Sequence, residues 1–368
     1  MDTVAHQLLH FEKTLVGKRV LLTGHTGFTG SWACLWLHTL GAEIYGYALP
    51  PATTPALYTE LKLDEAIHSQ YGDINHYQSL EAFFTQVQPD LVLHLAAQPL
   101  VRYAYKEPIL TFATNVLGTA HVLEAARKTP SVQAVLCITT DKVYQNHEWP
   151  WPYRENDRLG GKDPYSASKA AAEMVIDSYR TCFGDQATHS FAIATARGGN
   201  IIGGGDWSED RLIPDFVRAM ISDGTLTLRY PHATRPWQHV LALVQGYLML
   251  LAGLLDDPKK YARAWNLGPR ETTALSVGDV INILAKEWGS PTLNYMENPL
   301  AEAAILALDS SLARQQLHWN PVWEGQRLIA ETAAWYREYY RTPSTIKSYS
   351  LQQLQTWRTA LFEEAQVT

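Results

Sequence analysis

The chain has 368 residues, of which 46% are hydrophobic and 18% charged, a composition that supplies a packed core and excludes a disordered chain. Its 30 basic against 37 acidic residues give a formal charge of -7, so no basic excess points to nucleic acid or to an anionic membrane as partner. Cys34, Cys137 and Cys182 share no disulfide or metal-ligand spacing, which fits a reducing compartment and predicts a cytoplasmic address.

The first residues carry no basic segment, apolar run and small-residue cleavage site in the order of a signal peptide, so secretion is not expected. Residues 18–23 (KRVLLT) read as a short buried strand, followed by the glycine-rich turn GHTGFTG and an apolar-periodic helix over 28–40. The alternation continues with a strand over 43–48, a helix over 77–88, a strand over 90–95, a helix over 108–128, a strand over 132–139, a helix over 165–183 and a strand over 189–196. This pattern predicts an α/β fold, a Rossmann-type doubly wound parallel sheet with helices on both faces. After Arg197 the stretch GGNIIGGGDWSEDRLIP has no hydrophobic period and reads as a crossing between lobes. The expected division is a dinucleotide-binding unit over residues 1–197 and a smaller mixed α/β lobe over 198–368, with the chain recrossing to the first around 235–267. The apolar run 240–255 is shorter than the roughly 20 residues of a bilayer span, so it reads as a buried helix. Residues 276–288 look like a capped amphipathic helix, and Asp309 can cap another beginning at Ser310.

Gly24, Gly27 and Gly30 stand between the first strand and the first helix of the sheet. Glycines there let the backbone approach a pyrophosphate, and the helix N-terminus offers free N–H groups and a favourable dipole. The acidic residue that often holds a ribose at the end of the second strand is missing, because that strand ends in Tyr47-Ala48-Leu49-Pro50-Pro51. No Arg or Lys follows until Lys62, so nothing grips a 2'-phosphate and NAD is favoured over NADP.

Tyr165 and Lys169 lie four residues apart in YSASK, a spacing that puts both on one helix face. An ammonium beside a phenol lowers the phenol's pKa, which suits proton exchange with a substrate hydroxyl. The 13 histidines show no HxxxH or HxH set, so no metal site is expected.

GHTGFTG, HLAAQPLV and YSASK, in this order and spacing, resemble the extended short-chain dehydrogenase/reductase family of NAD-dependent epimerases and dehydratases. ITTDKVY, RGGNIIGGGDW, DRLIPD and RPWQHV resemble its CDP-glucose 4,6-dehydratase branch. The resemblance implies Tyr165 as redox acid/base, Lys169 as its partner and ribose contact, and Thr140 as a hydrogen-bonding partner of the sugar. It implies Gly24, Thr26, Gly27, Phe28 and Gly30 along the pyrophosphate, Asp73 and Ile74 at the adenine, and Ala96, Ala97 and Gln98 along the cofactor. Asp73 reads equally well as a cap for the segment beginning at Asn75.

The implied reaction oxidises carbon 4 of CDP-glucose, eliminates water across carbons 5 and 6, and returns the hydride to carbon 6, so it needs a second acid/base group. Asp141 and Lys142 stand where related dehydratases carry an acidic pair. Lys142 serves either as a desolvated base or as a charge that tunes Asp141; the third reading is a plain salt-bridged pair. Arg211 and Arg235 suit a diphosphate, and Asn200, Trp237, His239 and Tyr295 are further substrate-site candidates. The Ala-rich helices over 108–128 and 165–183 match those that form a four-helix dimer contact in the resembling family, which implies a homodimer or homotetramer.

Overall fold

The computed structural model describes residues 4–184, 191–222, 224–270, 275–296 and 306–367. Its centre is a seven-stranded sheet of β1 (Arg19–Thr23), β2 (Glu43–Ala48), β3 (His68–Tyr71), β4 (Leu91–His94), β5 (Ala134–Ile138), β6 (Ala192–Gly198) and β7 (Ala264–Leu267). The order is β3-β2-β1-β4-β5-β6-β7 and every pairing is parallel. Inner strands read as unbroken apolar runs because helices cover both faces, and successive residues point to opposite sides. Val20, Leu22, Leu91 and Leu93 enter one core, whereas Leu21, Val92, Val135 and Cys137 enter the other. β3 reads HSQY and is exposed along its length because it is the sheet edge.

The helices used below are α1 (Val4–Leu15), α2 (Phe28–Thr39), α3 (Tyr77–Val87), α4 (Val101–Lys106), α5 (Pro108–Phe112), α6 (Gly118–Arg127), α7 (Pro164–Phe183), α8 (Leu212–Ile221), α9 (Val240–Asp256), α10 (Val277–Trp288), α11 (Gly325–Arg341) and α12 (Ile346–Val367). The first core is covered by α1, α2, α9, α11 and α12, and the second by α3, α6 and α7. α9 is buried from Val240 to Leu254, as expected of a helix that is apolar all round. Its polar Gln245 is satisfied by the Trp357 indole N–H at 3.2 Å. α1 and α12 close over it, and Arg358 grips Glu12 through two bonds of 2.8 and 2.7 Å. Seven of the 12 tryptophans are fully buried, so the aromatic richness of the chain serves packing before ligand contact.

Three expectations change. The helix expected over 108–128 is α5 and α6 joined by a π-type turn, Ala113–Leu117, whose extra residue faces Asn115 inward. Among the described residues, the run 108–127, not 240–255, is the helix long and apolar enough to cross a membrane; less than half of it (44%) is buried. The strand expected over 189–196 is β6, which starts at Ala192; residues 189 and 190 lie outside the described residues. The helix expected from Ser310 starts at Ser311 and widens into a π-type turn over Ala313–Leu317, with the Asp309 carboxylate accepting the Ser311 N–H at 2.8 Å. α10 carries its expected cap, a reciprocal box between Ser276 and Asp279.

The smaller lobe is stitched by three two-stranded pairs: 201–202 with 238–239, 234–235 with 275–276 in antiparallel sense, and 225–228 with 292–295. The sheet order reverses between β1 and β4, which places a crevice at their carboxyl ends. The segments after β5 and β6, together with 234–239, approach the same end.

Candidate active site

Thr23 ends β1, and Gly24 turns the chain with a φ of +77°, a conformation side chains rarely adopt. A Cβ on Gly24 would lie 2.7 Å from Ala96 N, and one on Gly30 2.2 Å from Gly24 O. Backbone meets backbone there, so glycine is required sterically. Gly27 caps α2 without any side chain bonding its first N–H groups, and the helix opens at Phe28 with those donors unspent. This is a cradle for a pyrophosphate, and the residues present fit a dinucleotide. Thr26 Oγ1 donates to Leu49 O at 2.8 Å, which ties the turn to the end of β2 where the acidic residue is missing. His25, unremarked in the sequence, is fully buried beneath the turn with Nε2 2.7 Å from Ser69 Oγ. Burial lowers its pKa to about 4, so it is neutral.

After β4, Ala96 and Ala97 are half-buried at the crevice, and the Ala96 N–H reaches Thr23 Oγ1 at 3.3 Å. Gln98 turns inward. Its amide bonds Thr111 Oγ1 and the Leu100 N–H at 2.9 and 2.7 Å, so it shapes the loop and does not present a free group. Asp73 accepts the Asn75 N–H at 2.9 Å in a tight turn, and the helix beyond begins at Tyr77 without a side-chain cap, so Asp73 does not cap it. Ile74 is buried, its carbonyl taken by His121 Nδ1 at 2.8 Å. His94 bonds Thr23 and Thr119 through its two ring nitrogens, 2.7 and 3.0 Å away, and is held neutral by burial.

The centre forms where β5 meets the start of α7. Asp163 caps α7 in a reciprocal box with Ser166, and Pro164 follows at the first position. Tyr165 and Lys169 are both more than nine-tenths buried. Lys169 Nζ donates to Ile138 O at 3.1 Å, anchoring it to the end of β5. Thr140 Oγ1 donates to Asp141 Oδ1 at 2.8 Å, and the same side chain acts to lower the Tyr165 phenol. One hydroxyl thus stands beside both a phenol and a carboxyl. Asp141 Oδ2 is buried without a partner, beneath the loop at Gly199.

The electrostatics correct one expectation. Burial pushes Tyr165 up to about 12, and Thr140 and Arg211 only partly offset it; Lys169 is not what depresses the phenol in the protein alone. Burial also brings Lys169 down to about 8. Asp141 is raised by burial, against the lowering charges of Lys142 and Arg235. Lys142 is exposed, and no ion pair joins it to Asp141. No salt-bridged pair is present, and Lys142 acts on Asp141 by lowering its carboxyl.

The candidates in the smaller lobe separate. Arg211 pairs with Asp206 at 3.2 Å and acts on Tyr165; Arg235 acts on Asp141. Asn200 is half-buried in the loop after β6, and its carbonyl accepts the Gln238 N–H at 3.0 Å. Trp237 is buried with its indole N–H on Leu275 O at 3.0 Å. His239 is wholly buried: it caps α9, stacks on Trp357 and meets Trp323 edge-on. It is a core residue, because its position is set by packing of α9 and not by the crevice. Tyr295 is exposed on the strand 292–295, beside Met296 at the rim of a cleft of about 380 Å³ lined by Arg102, Arg218 and Arg229 with Asp210 and Asp215.

Comparison with known proteins follows this geometry. The model of the family described as GDP-mannose 4,6 dehydratase matches residues 21–332. A CDP-glucose 4,6-dehydratase of Salmonella typhimurium is 42% identical over 88% of this chain and 92% of its own. A dTDP-glucose 4,6-dehydratase of Streptomyces griseus is 27% identical over 68% of this chain and 72% of its own. Among solved structures, a dTDP-glucose 4,6-dehydratase of Streptomyces venezuelae with NAD and TYD bound superposes with a TM-score of 0.76 at 24% identity, covering 87% of this chain and 97% of that one. An epimerase of Methanothermobacter thermautotrophicus gives 0.78 at 22%, covering 92% and 97%.

Proposed function

Because the chain belongs to the GDP-mannose 4,6-dehydratase family, we propose that it is an NAD-dependent lyase converting CDP-glucose to CDP-4-keto-6-deoxyglucose. The substrate follows from the 42% identical relative of that name. The observation that carries the chemistry is the buried cluster of Tyr165, Thr140 and Asp141, in which Thr140 Oγ1 donates to the Asp141 carboxyl. Oxidation of an alcohol alone needs one proton carrier, whereas elimination of water needs a second, and both stand here in one buried cluster.

NAD held by Gly24, Thr26, Gly27, Phe28 and Gly30 would supply the acceptor and later the donor of hydride. Tyr165 takes the proton of the carbon 4 hydroxyl. Burial holds its phenol too high for this, and Thr140 and Arg211 are the groups that favour the phenolate. The new ketone acidifies carbon 5. Asp141, ionised, accepts that proton on its unpartnered Oδ2 and returns it to the departing carbon 6 oxygen. A raised pKa suits a group that must take a proton and then give it up. Asp141 starts and ends the elimination ionised, so one carboxyl does both transfers; when hydride returns to carbon 6, carbon 5 regains a proton that the Tyr165 phenol gives up, which restores the phenolate. Arg211, Arg235 and Asn200 are the groups placed to hold the diphosphate.

A second copy of the chain fits the face made by α4, α5, α6 and α7, where Tyr105, Ile109, Phe112, Leu117 and Met174 are exposed. An unpartnered apolar face of this kind marks an interface, and homodimer or homotetramer assembly covers it. The three cysteines are free thiols, in keeping with the cytoplasm.

The test is incubation with a panel of nucleotide-glucoses and mass analysis of the products. CDP-glucose is expected to lose one water with no net consumption of NAD. Turnover of a non-cytidine donor alone would overturn the substrate, and a product of unchanged mass would overturn the dehydration.

A further inference from the structure

One turn beyond Lys169 on α7 lies a carboxylate that the reaction above does not use. Glu173 is 3% exposed and Arg197, at the end of β6, is 4% exposed. Arg197 donates from Nε to Glu173 Oε1 at 3.0 Å and from Nη2 to Oε2 at 2.8 Å. Thr139 Oγ1 donates to Oε1 at 2.5 Å and Thr195 Oγ1 to Oε2 at 3.1 Å. The carboxylate therefore receives four donors, two from its ion-pair partner and two from the ends of β5 and β6. The third nitrogen of Arg197 donates to Tyr144 Oη and to Glu155 O, both at 2.8 Å. Tyr144 passes its own proton to Asn266 Oδ1 at 2.7 Å, on β7.

This arrangement is satisfied throughout, and a pair so deeply buried is seldom a source of net stability. Its value lies in where it sits. Thr139 immediately precedes Thr140 and Asp141, Tyr144 follows them by three residues, and Glu173 stands four residues after Lys169 on the same helix face. The pair locks the helix that carries Tyr165 and Lys169 to the strand end that carries Thr140 and Asp141.

We propose that Glu173, held by Arg197, is a positioning residue for the Tyr165–Lys169–Thr140 centre and supplies the negative charge that keeps Lys169 protonated. The proposal rests on the reaction assigned above. The groups facing Lys169 are Cys137 on β5, Glu173 and Tyr165 on its own helix, and His94 on β4. His94 is neutral and Cys137 is a buried thiol pushed up well beyond its usual range, so Glu173 is the formal anion among them. A carboxylate beside an ammonium raises the ammonium's pKa, so removing it lets burial draw Lys169 below its value of about 8.

The experiment is the pH profile of kcat for the oxidation step in the holoenzyme, for wild type, Glu173→Gln, Glu173→Asp and the double variant Glu173→Gln/Arg197→Gln. Wild type should lose activity above about pH 8. In Glu173→Gln that alkaline limb should move acidward by about one unit or more. The double variant leaves no uncompensated charge, so it answers if the single variant does not fold, and its limb should move the same way but by less, because the opposing charge of Arg197 goes too. Glu173→Asp keeps the charge but shortens its reach, so its limb should stay in place while kcat falls. An unmoved limb in either Gln variant, or an unchanged kcat in Glu173→Asp, overturns the proposal. If wild type itself fails to remove water from CDP-glucose, it is the assigned reaction that falls, a distinct result.

Discussion

Replacing Asp141 with asparagine separates the two halves of the reaction. The amide keeps the shape of the side chain and an oxygen to accept from Thr140 Oγ1, now bonded at 2.8 Å. At the other terminus an unpaired nitrogen replaces an oxygen that already lacks a partner, so the fold exchanges one unsatisfied atom for another and loses little. What disappears is the proton carrier. General acid/base groups contribute roughly 10²- to 10⁴-fold, so water loss should slow by that factor, about 3 to 5 kcal/mol of activation free energy. The oxidation step runs through Tyr165 and should survive. Mixed with CDP-glucose in a single turnover, Asp141→Asn should therefore accumulate reduced nicotinamide and a 4-keto sugar that retains its oxygen at carbon 6. The variant should also respond differently to pH. Burial raises the Asp141 carboxyl above its ordinary 3.8, so its contribution to stability is complete below 3.8 and is lost as pH rises through the raised native value. Asparagine has no such loss, and the melting temperature should fall less between acid and neutral pH than in wild type. Release of water by Asp141→Asn at the wild-type rate would refute the assignment of the elimination to this residue.

Tyr165→Phe should lower the oxidation rate roughly 10²- to 10⁴-fold while NAD titration shows binding retained; loss of binding instead would make Tyr165 a structural residue. Gly30→Ala places a Cβ 2.2 Å from Gly24 O, a backbone clash no rotamer relieves, so NAD affinity should fall at least tenfold in calorimetry with the core intact. His239→Ala removes a helix cap and a fully buried ring between Trp323 and Trp357, and should cost about 2 to 4 kcal/mol in denaturant unfolding with KM unchanged. A raised KM at unchanged stability would return His239 to the substrate site. Ile109→Glu, at a side chain 81% exposed on the α5 face, should give a monomer mass in light scattering; an unaltered larger mass would place the interface elsewhere.

The parallel sheet was legible because inner strands buried on both faces are continuous apolar runs, and β2 appears with its expected bounds. The edge strand β3 was not, since HSQY faces solvent on both sides and carries no apolar signal. α11 and α12 also escaped: α12 has a weak periodic pattern, whereas the buried Leu328, Ile329, Thr332, Ala333 and Tyr336 of α11 recur at helical spacing and went unread. Within the site, local motifs announced Gly24, Gly30, Tyr165 and Lys169, because each depends on near neighbours in sequence. His239 was misjudged, since whether an aromatic ring lines a crevice or fills a core depends on elements far along the chain. Glu173 and Arg197 carried no readable signal for the same reason: their pairing spans 24 positions and becomes meaningful only when β6 lies beside α7. The salt-bridged reading of Lys142 fell to its exposure, which a sequence does not display.

The π-type turn at Ala113–Leu117 carries a constraint on how this chain can diverge. Its surplus residue sets the phase between two helical segments: Asn115 points inward to Gln98 and Ser168, and Gly118 takes the close approach of Ile74. Deleting any one residue there would restore a regular helix and rotate everything beyond it by about 100°. Thr119 would leave His94, and the buried face of α6 would turn outward. Substitutions at its exposed positions such as Leu117 are tolerable, but its length is not free to drift.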